Sequence, residues 1–183
     1  MGTRSAKASI KVEIETLIRN VLAAGNPSAE MRRKIEAIVE LTSGTTGGKI
    51  DRVLVSEGRA LSGASSETID LYDLGSLNIG AGAGLDALGQ AWVGAEIVGL
   101  FIRNNDTADS LVIGNDGTSA AWNSLFGGDD EAAITLLPGA MILLIASGDP
   151  AYAVADSTNH LLKIAAPGSA ISSYDLVILA RSA

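Results

Sequence analysis

The sequence predicts an all-β fold, an antiparallel β-sandwich or jelly roll of about 8–10 strands. Short apolar runs recur along the chain, turn residues separate them, and no alternation of strands with helices interrupts the series. Aromatic residues make up 4% of the chain and apolar residues 47%. The core must therefore consist of Val, Ile, Leu and Ala.

The first third of the chain fits two structures. Residues 10–18 and 31–41 alternate apolar and polar side chains, as half-exposed strands do. Both stretches can also be drawn as helices with one apolar face, so the N-terminal segment is partly helical in that alternative. A turn at residues 25–28 separates them. The sequence favours strands. It divides the chain into an N-terminal segment or docking arm (residues 1–41) and a β-sandwich domain (residues 42–183).

The pattern is plainer after residue 42. Residues 42–48, 58–66 and 75–89 are rich in Gly, Ser and Thr or in small residues, which predicts loops. Between and after these loops, apolar runs predict strands at residues 50–55, 68–74, 95–104, 111–114, 133–137, 140–146, 152–155, 161–165 and 173–180.

Composition limits the partners. The net charge of −8 argues against nucleic acid, because an acidic chain neutralises phosphates poorly. The one basic run, residues 32–34, is interpreted as a solvated face. The longest apolar stretch, residues 136–146, is interrupted by Pro138 and Gly139. Since it is also too short to span a bilayer, no membrane partner is expected.

No constellation of residues predicts catalysis, a cofactor or a metal. The chain has no cysteine, which excludes thiolate chemistry and Cys-based metal sites. His160 is the single histidine, and its neighbours predict a surface turn. The carboxylates of residues 129–131 lack the spacing of a calcium loop. The Gly-rich residues 80–84 lack the spacing and the strand–helix setting of a dinucleotide loop.

Trp92 and Trp122 are the candidate partner-contact residues. Both lie near predicted strand ends, and aromatic side chains are enriched where interfaces bind most strongly. The alternative is that they cap the ends of the core, and the sequence favours this capping role.

The order of short motifs over residues 42–183 resembles a group of small structural proteins of tailed-bacteriophage virions. The motifs are mostly strand cores and turns, in this order: GKIDRV at 48–53, EIVGLFIRN at 96–104, LVIG at 111–114, LLPGA at 136–140, LLKIA at 161–165 and YDLVIL at 174–179. No catalytic residues come with this resemblance.

The resemblance implies a non-enzymatic virion subunit, assembled in the host bacterial cytoplasm. A capsid-surface decoration or cement protein, or a head-fibre or spike subunit, is expected. Its partners would be other virion proteins, the major capsid protein foremost, and further copies of itself in a closed assembly such as a trimer. The alternative is a tail or receptor-binding module that binds carbohydrate through exposed aromatics. A hydrolase is disfavoured by the lone histidine.

Overall fold

The computed structural model describes residues 5–20, 29–77, 82–87, 89–114, 117–168 and 172–182. These residues form twelve strands and no helix. None of these residues therefore belongs to a helix that could cross a membrane. The all-β prediction is confirmed, and the helical alternative for the N-terminal segment is wrong for residues 8–20 and 29–41. The strands are β1 Ala8–Asn20, β2 Ala29–Ser43, β3 Lys49–Ile50, β4 Arg52–Leu61, β5 Ser65–Asp70, β6 Glu96–Asn104, β7 Leu111–Gly114, β8 Ala133–Leu136, β9 Met141–Ile145, β10 Tyr152–Ala153, β11 Leu161–Ala166 and β12 Ser172–Arg181.

Two antiparallel sheets pack face to face and form the sandwich. The five-stranded sheet has the order β10-β6-β12-β4, with β9 also paired to β6, and the four-stranded sheet has the order β5-β11-β7-β8. Aliphatic side chains from both sheets fill the space between them and are almost fully excluded from solvent. They include Leu54, Leu100 and Ile178 from the first sheet and Ile69, Ile113 and Ile164 from the second.

The five-stranded sheet is apolar on its outer face as well. On β6, Leu100 and Ile102 point into the main core, whereas Val98 belongs to a second, smaller core on the other side of the sheet. We call this the second core; it comprises Ala6, Leu41, Ile50, Val98 and Leu179. Strands covered on both faces read as continuous apolar runs, which explains the sequence of β6 and β12.

Strands β1 and β2 form a long hairpin, which we call the ribbon. Their antiparallel register runs from Ala8 opposite Leu41 to Asn20 opposite Ala29. At the base of the ribbon, β2 also pairs in parallel with the short strand β3. The base lies on the outer face of the five-stranded sheet, where it forms the second core. The basic residues 32–34 lie on β2 and are exposed, as expected of a solvated face.

Among the strand boundaries that differ from the prediction, two have clear local reasons. Strand β4 continues through Gly58, which was predicted as part of a loop. Its φ of 61° and the hydrogen bond from its N–H to Asp175 (2.9 Å) accommodate a bulge, and the β12 register shifts there. Strand β5 ends at Asp70, before the predicted end at residue 74, because the Asp70 carboxylate accepts a hydrogen bond from the N–H of Tyr72 (2.8 Å) and starts a turn.

Other parts of the sequence prediction lie outside the described residues. These are the turn at residues 25–28 and residues 80 and 81 of the Gly-rich loop.

Gly94 is held against the backbone of the main core. A Cβ at this position would lie 2.3 Å from the carbonyl oxygen of Leu71 and 2.9 Å from Nε1 of Trp92. That indole nitrogen already donates to the same carbonyl (2.8 Å). A methyl group would therefore have to push apart a buried hydrogen bond.

We predict that Gly94→Ala lowers the free energy of unfolding by about 2 kcal/mol or more, in the range typical of overpacking. Gly148→Ala is the matched control, because no atom lies within 4 Å of its added Cβ and its φ is not positive. Chemical denaturation followed by tryptophan fluorescence measures both. Equal stability of the two variants would contradict the packing argument.

Candidate functional site

The two tryptophans lie in the core. Trp92 and Trp122 are each 2% exposed, and their indole N–H groups donate to backbone carbonyl oxygens, Leu71 for Trp92 and Ala153 for Trp122 (3.0 Å). Trp122 also contacts Tyr152 edge to face. The candidate partner-contact role is corrected accordingly: burial and a satisfied donor leave neither indole a surface for a partner, and the capping role applies.

His160 lies against Asp70 and is more enclosed than the predicted surface turn. Its side chain is 13% exposed, and its Nε2 lies 3.6 Å from Oδ2 of Asp70. That distance is too long for a hydrogen bond. As predicted, His160 follows a turn (residues 156–158) and immediately precedes β11, and its backbone N–H donates to the carbonyl oxygen of Ala120 (3.0 Å).

The acidic loops use their carboxylates to hold their own backbone. Asp106 accepts from the N–H groups of Asp109 (3.0 Å) and Ala108 (2.8 Å), which lowers its pKa. Asp130 accepts from the side-chain amide of Asn123 (2.7 Å). Within the described ranges, no three His, Asp or Glu side chains come together in a group that could hold a metal ion.

One polar cluster joins the two sheets. Arg59 on β4 donates from Nε to Glu67 on β5 (3.2 Å) and to the Tyr174 hydroxyl on β12 (3.2 Å), and Tyr174 in turn donates to Glu67. Burial, followed by the Glu67 carboxylate, raises the pKa of Tyr174. The phenol therefore stays protonated at neutral pH and serves as a hydrogen-bond donor. A groove of about 550 Å³ lies beside this cluster.

The ribbon has one apolar face. Residues directly opposite in an antiparallel pair share a face, and outward from Ile10–Val39 three consecutive same-face pairs are apolar before the polar pair Thr16–Arg33. Near the base, Ile10 and Val39 still pack against the second core. Farther out, Ile14 is 54% exposed and Ile35 is 69% exposed. This apolar ribbon face consists of Ile10–Val39, Val12–Ala37 and Ile14–Ile35.

The other ribbon face carries a group of four charges. Glu13 and Glu36 lie directly opposite each other, an unfavourable arrangement for like charges. Lys11 and Lys34 flank them, and all four contacts between these lysines and glutamates measure 2.9–3.2 Å. Lys11, and then Lys34, lower the pKa of Glu13. We call these four residues the charge quartet.

An apolar row crosses the outer face of the five-stranded sheet next to the ribbon base. The strand registers place its four residues side by side, and the outermost two, Val55 and Leu143, are about 40% exposed. The row consists of Leu143, Phe101, Val177 and Val55. A groove of about 310 Å³ runs between three of these residues and the ribbon, lined there by Ser9, Ile10 and Lys11. Gly99 leaves room in its floor, since an added Cβ would lie 3.0 Å from Leu179.

The apolar ribbon face and the apolar row form the candidate functional site. Eight large hydrophobic side chains of the described residues are exposed, and five of them lie on or beside this surface: Ile14, Ile35, Val55, Met141 and Leu143. Single exposed hydrophobics are ordinary, but a contiguous group marks an interaction surface. The sequence prediction missed it, although the alternation at residues 10–18 contained its signal.

Comparisons of this chain with protein-family models, with characterised proteins and with solved structures find no match.

We predict that the charge quartet holds the pKa of Glu13 below its usual 4.5. Because the folded pKa is lower than the unfolded one, this contact stabilises the ribbon above about pH 4.5 and is lost as pH falls through the folded pKa. Lys11→Gln should raise the pKa of Glu13, as read from its carboxyl ¹³C shift, whereas Lys49→Gln, outside the quartet, should not. An unchanged pKa in Lys11→Gln would contradict the prediction.

Proposed function

We propose that this chain is a non-enzymatic structural subunit that joins a larger assembly through the apolar ribbon face and the apolar row. The observation that carries the proposal is a two-stranded ribbon whose apolar face is exposed beyond its base, at Ile14 and Ile35. A single-layer hairpin is only marginally stable in water. Covering its exposed apolar side chains with a partner is favourable, because apolar surface is removed from water.

The two ribbon strands are longer than any strand of the two sandwich sheets, the longest of which have 10 residues. The ribbon's 13 residue pairs span about 44 Å at about 3.4 Å per residue. The pairs nearest the base, Ala8–Leu41 and Ile10–Val39, contact the second core. The remainder extends as an attachment device, and the compact sandwich is left for display at the surface of the assembly.

The resemblance of residues 42–183 supports a tailed-bacteriophage virion as that assembly. The proposal is therefore a capsid-surface decoration or cement protein, or a head-fibre or spike subunit, with the major capsid protein as its partner. The carbohydrate-binding alternative depended on exposed aromatics. Both indoles are buried and the other five aromatic residues are at least partly buried, so that alternative loses its support.

We predict that the chain is a component of purified virions and that cryo-electron microscopy places the sandwich outside the shell with the ribbon at the contact. Absence of the chain from virions purified to constant composition would defeat the proposal. Density for this chain in the tail would instead support the alternative of a tail protein.

A second measurement tests the surface itself. The pair Ile14→Ser and Ile35→Ser should weaken rebinding to particles that lack the subunit by about tenfold or more, equivalent to about 1.4 kcal/mol. The control, Glu13→Gln with Lys34→Gln, changes the opposite ribbon face outside the groove and should leave rebinding within about twofold, as expected for exposed ion pairs. Equal losses in both pairs would rule out the apolar face as the attachment surface.

A further inference from the structure

We infer that the layer covering the apolar ribbon face is a second copy of this chain, with the two ribbons packed face to face. The inference rests on the proposed assembly role for its setting, and it adds that the subunit associates with itself before or while it joins a larger structure. Four observations support a copy over an unrelated partner.

The first is charge. Residues 8–43 contain five basic and five acidic residues and are neutral overall. Residues 44–183 contain six basic and sixteen acidic residues, a net charge of −10. A positively charged partner would be attracted to the acidic sandwich rather than to the neutral ribbon. The neutral ribbon is the one large part of the molecule that can approach its own copy without repulsion.

The second is the location of the ribbon's charges near its middle. The charge quartet pairs its four charges with one another on the face opposite the apolar one. Two ribbons that meet through their apolar faces keep both quartets in water. Neither quartet then has to be broken for the copies to associate, and Arg33, in the same-face pair next to Ile14–Ile35, is the one charge of the described residues on the facing side.

The third is shape. The Ile14–Ile35 pair is the seventh of the 13 residue pairs and so lies at the middle of the ribbon. The next pair on the same face, Val12–Ala37, is smaller on the Ala37 side. A two-fold crossing near the middle would bring the large isoleucines of one ribbon over the small Ala37 of the other. Such alternation of large and small residues allows facing layers to interdigitate.

The fourth is area. The part of the ribbon beyond its base, from Val12–Ala37 to Asn20–Ala29, is nine residue pairs or about 31 Å long and two strands or about 10 Å wide, which gives about 310 Å². Two such faces bury about 620 Å², about half of the roughly 1,200 Å² of a stable interface. The apolar row lies beside the ribbon base and is likewise apolar and partly exposed. An interface in which each ribbon also extends over the partner's row accounts for both exposed apolar patches and brings the buried area towards that minimum.

The chain offers a clean test because it contains no cysteine. Ile35→Cys places one thiol on the apolar face, and Glu36→Cys places one on the opposite face of the same strand. Packed sheets lie about 10 Å apart, so a bismaleimide of about that length can join two Ile35→Cys ribbons. Two Glu36→Cys thiols would be separated by the full thickness of both ribbons and out of its reach.

We expect the purified wild-type chain to be a dimer or larger multimer by sedimentation at micromolar concentration. Ile35→Cys should cross-link at least tenfold faster than Glu36→Cys. Ile35→Lys should shift the chain to monomer with the thermal unfolding of the sandwich unchanged, since this side chain is mostly exposed. A monomeric wild-type chain, or equal cross-linking of the two cysteine variants, would overturn the inference.

This result is separable from that of the proposed function. A monomeric chain that still rebinds to particles would overturn self-association and leave the attachment role in place. A multimer absent from purified virions would overturn the virion role and support self-association.

Discussion

The structure depends on one constraint: the five-stranded sheet is apolar on both faces. Its inner face is covered by the four-stranded sheet, and the main core between them includes Leu100 and Ile178. Its outer face carries Val98 and Leu179, which would lie in water if the sandwich were the whole fold. A third layer is therefore required, and the base of the ribbon provides it.

That third layer covers only part of the outer face. Leu41 and Ile50 are fully buried over Val98, but the apolar row one step along the strands, including Phe101 and Val177, is only partly covered. At its far end the sheet becomes polar, where Arg103 pairs with Asp175 at 2.7 Å. The uncovered strip is thus bounded by the ribbon on one side and by this ion pair on the other, which gives the interaction surface defined edges.

The sequence predicted the parts of this structure that local patterns control. The alternation at residues 10–18 and the continuous apolar run of β6 gave the correct strand type for each. The sequence could not show that these elements lie on each other, because the register of β1 with β2 and the packing of the ribbon base are long-range. Trp92 and Trp122 show the same limit, since residue type suits either an interface or a core, and only the hydrogen bonds to Leu71 and Ala153 decide between them.

In the proposed role, folding of the ribbon is coupled to its association with a partner. The sandwich has a complete core, so its stability does not depend on the ribbon beyond the second core. Farther out, the ribbon is held by its backbone ladder, the exposed charge quartet and cross-strand pairs such as Ile14 with Ile35, which contribute little in water. Any partner that binds the formed ribbon and not its open state stabilises it in proportion to the logarithm of partner concentration. The proposed subunit would combine a sandwich with its own core and an attachment arm whose order increases as the assembly forms.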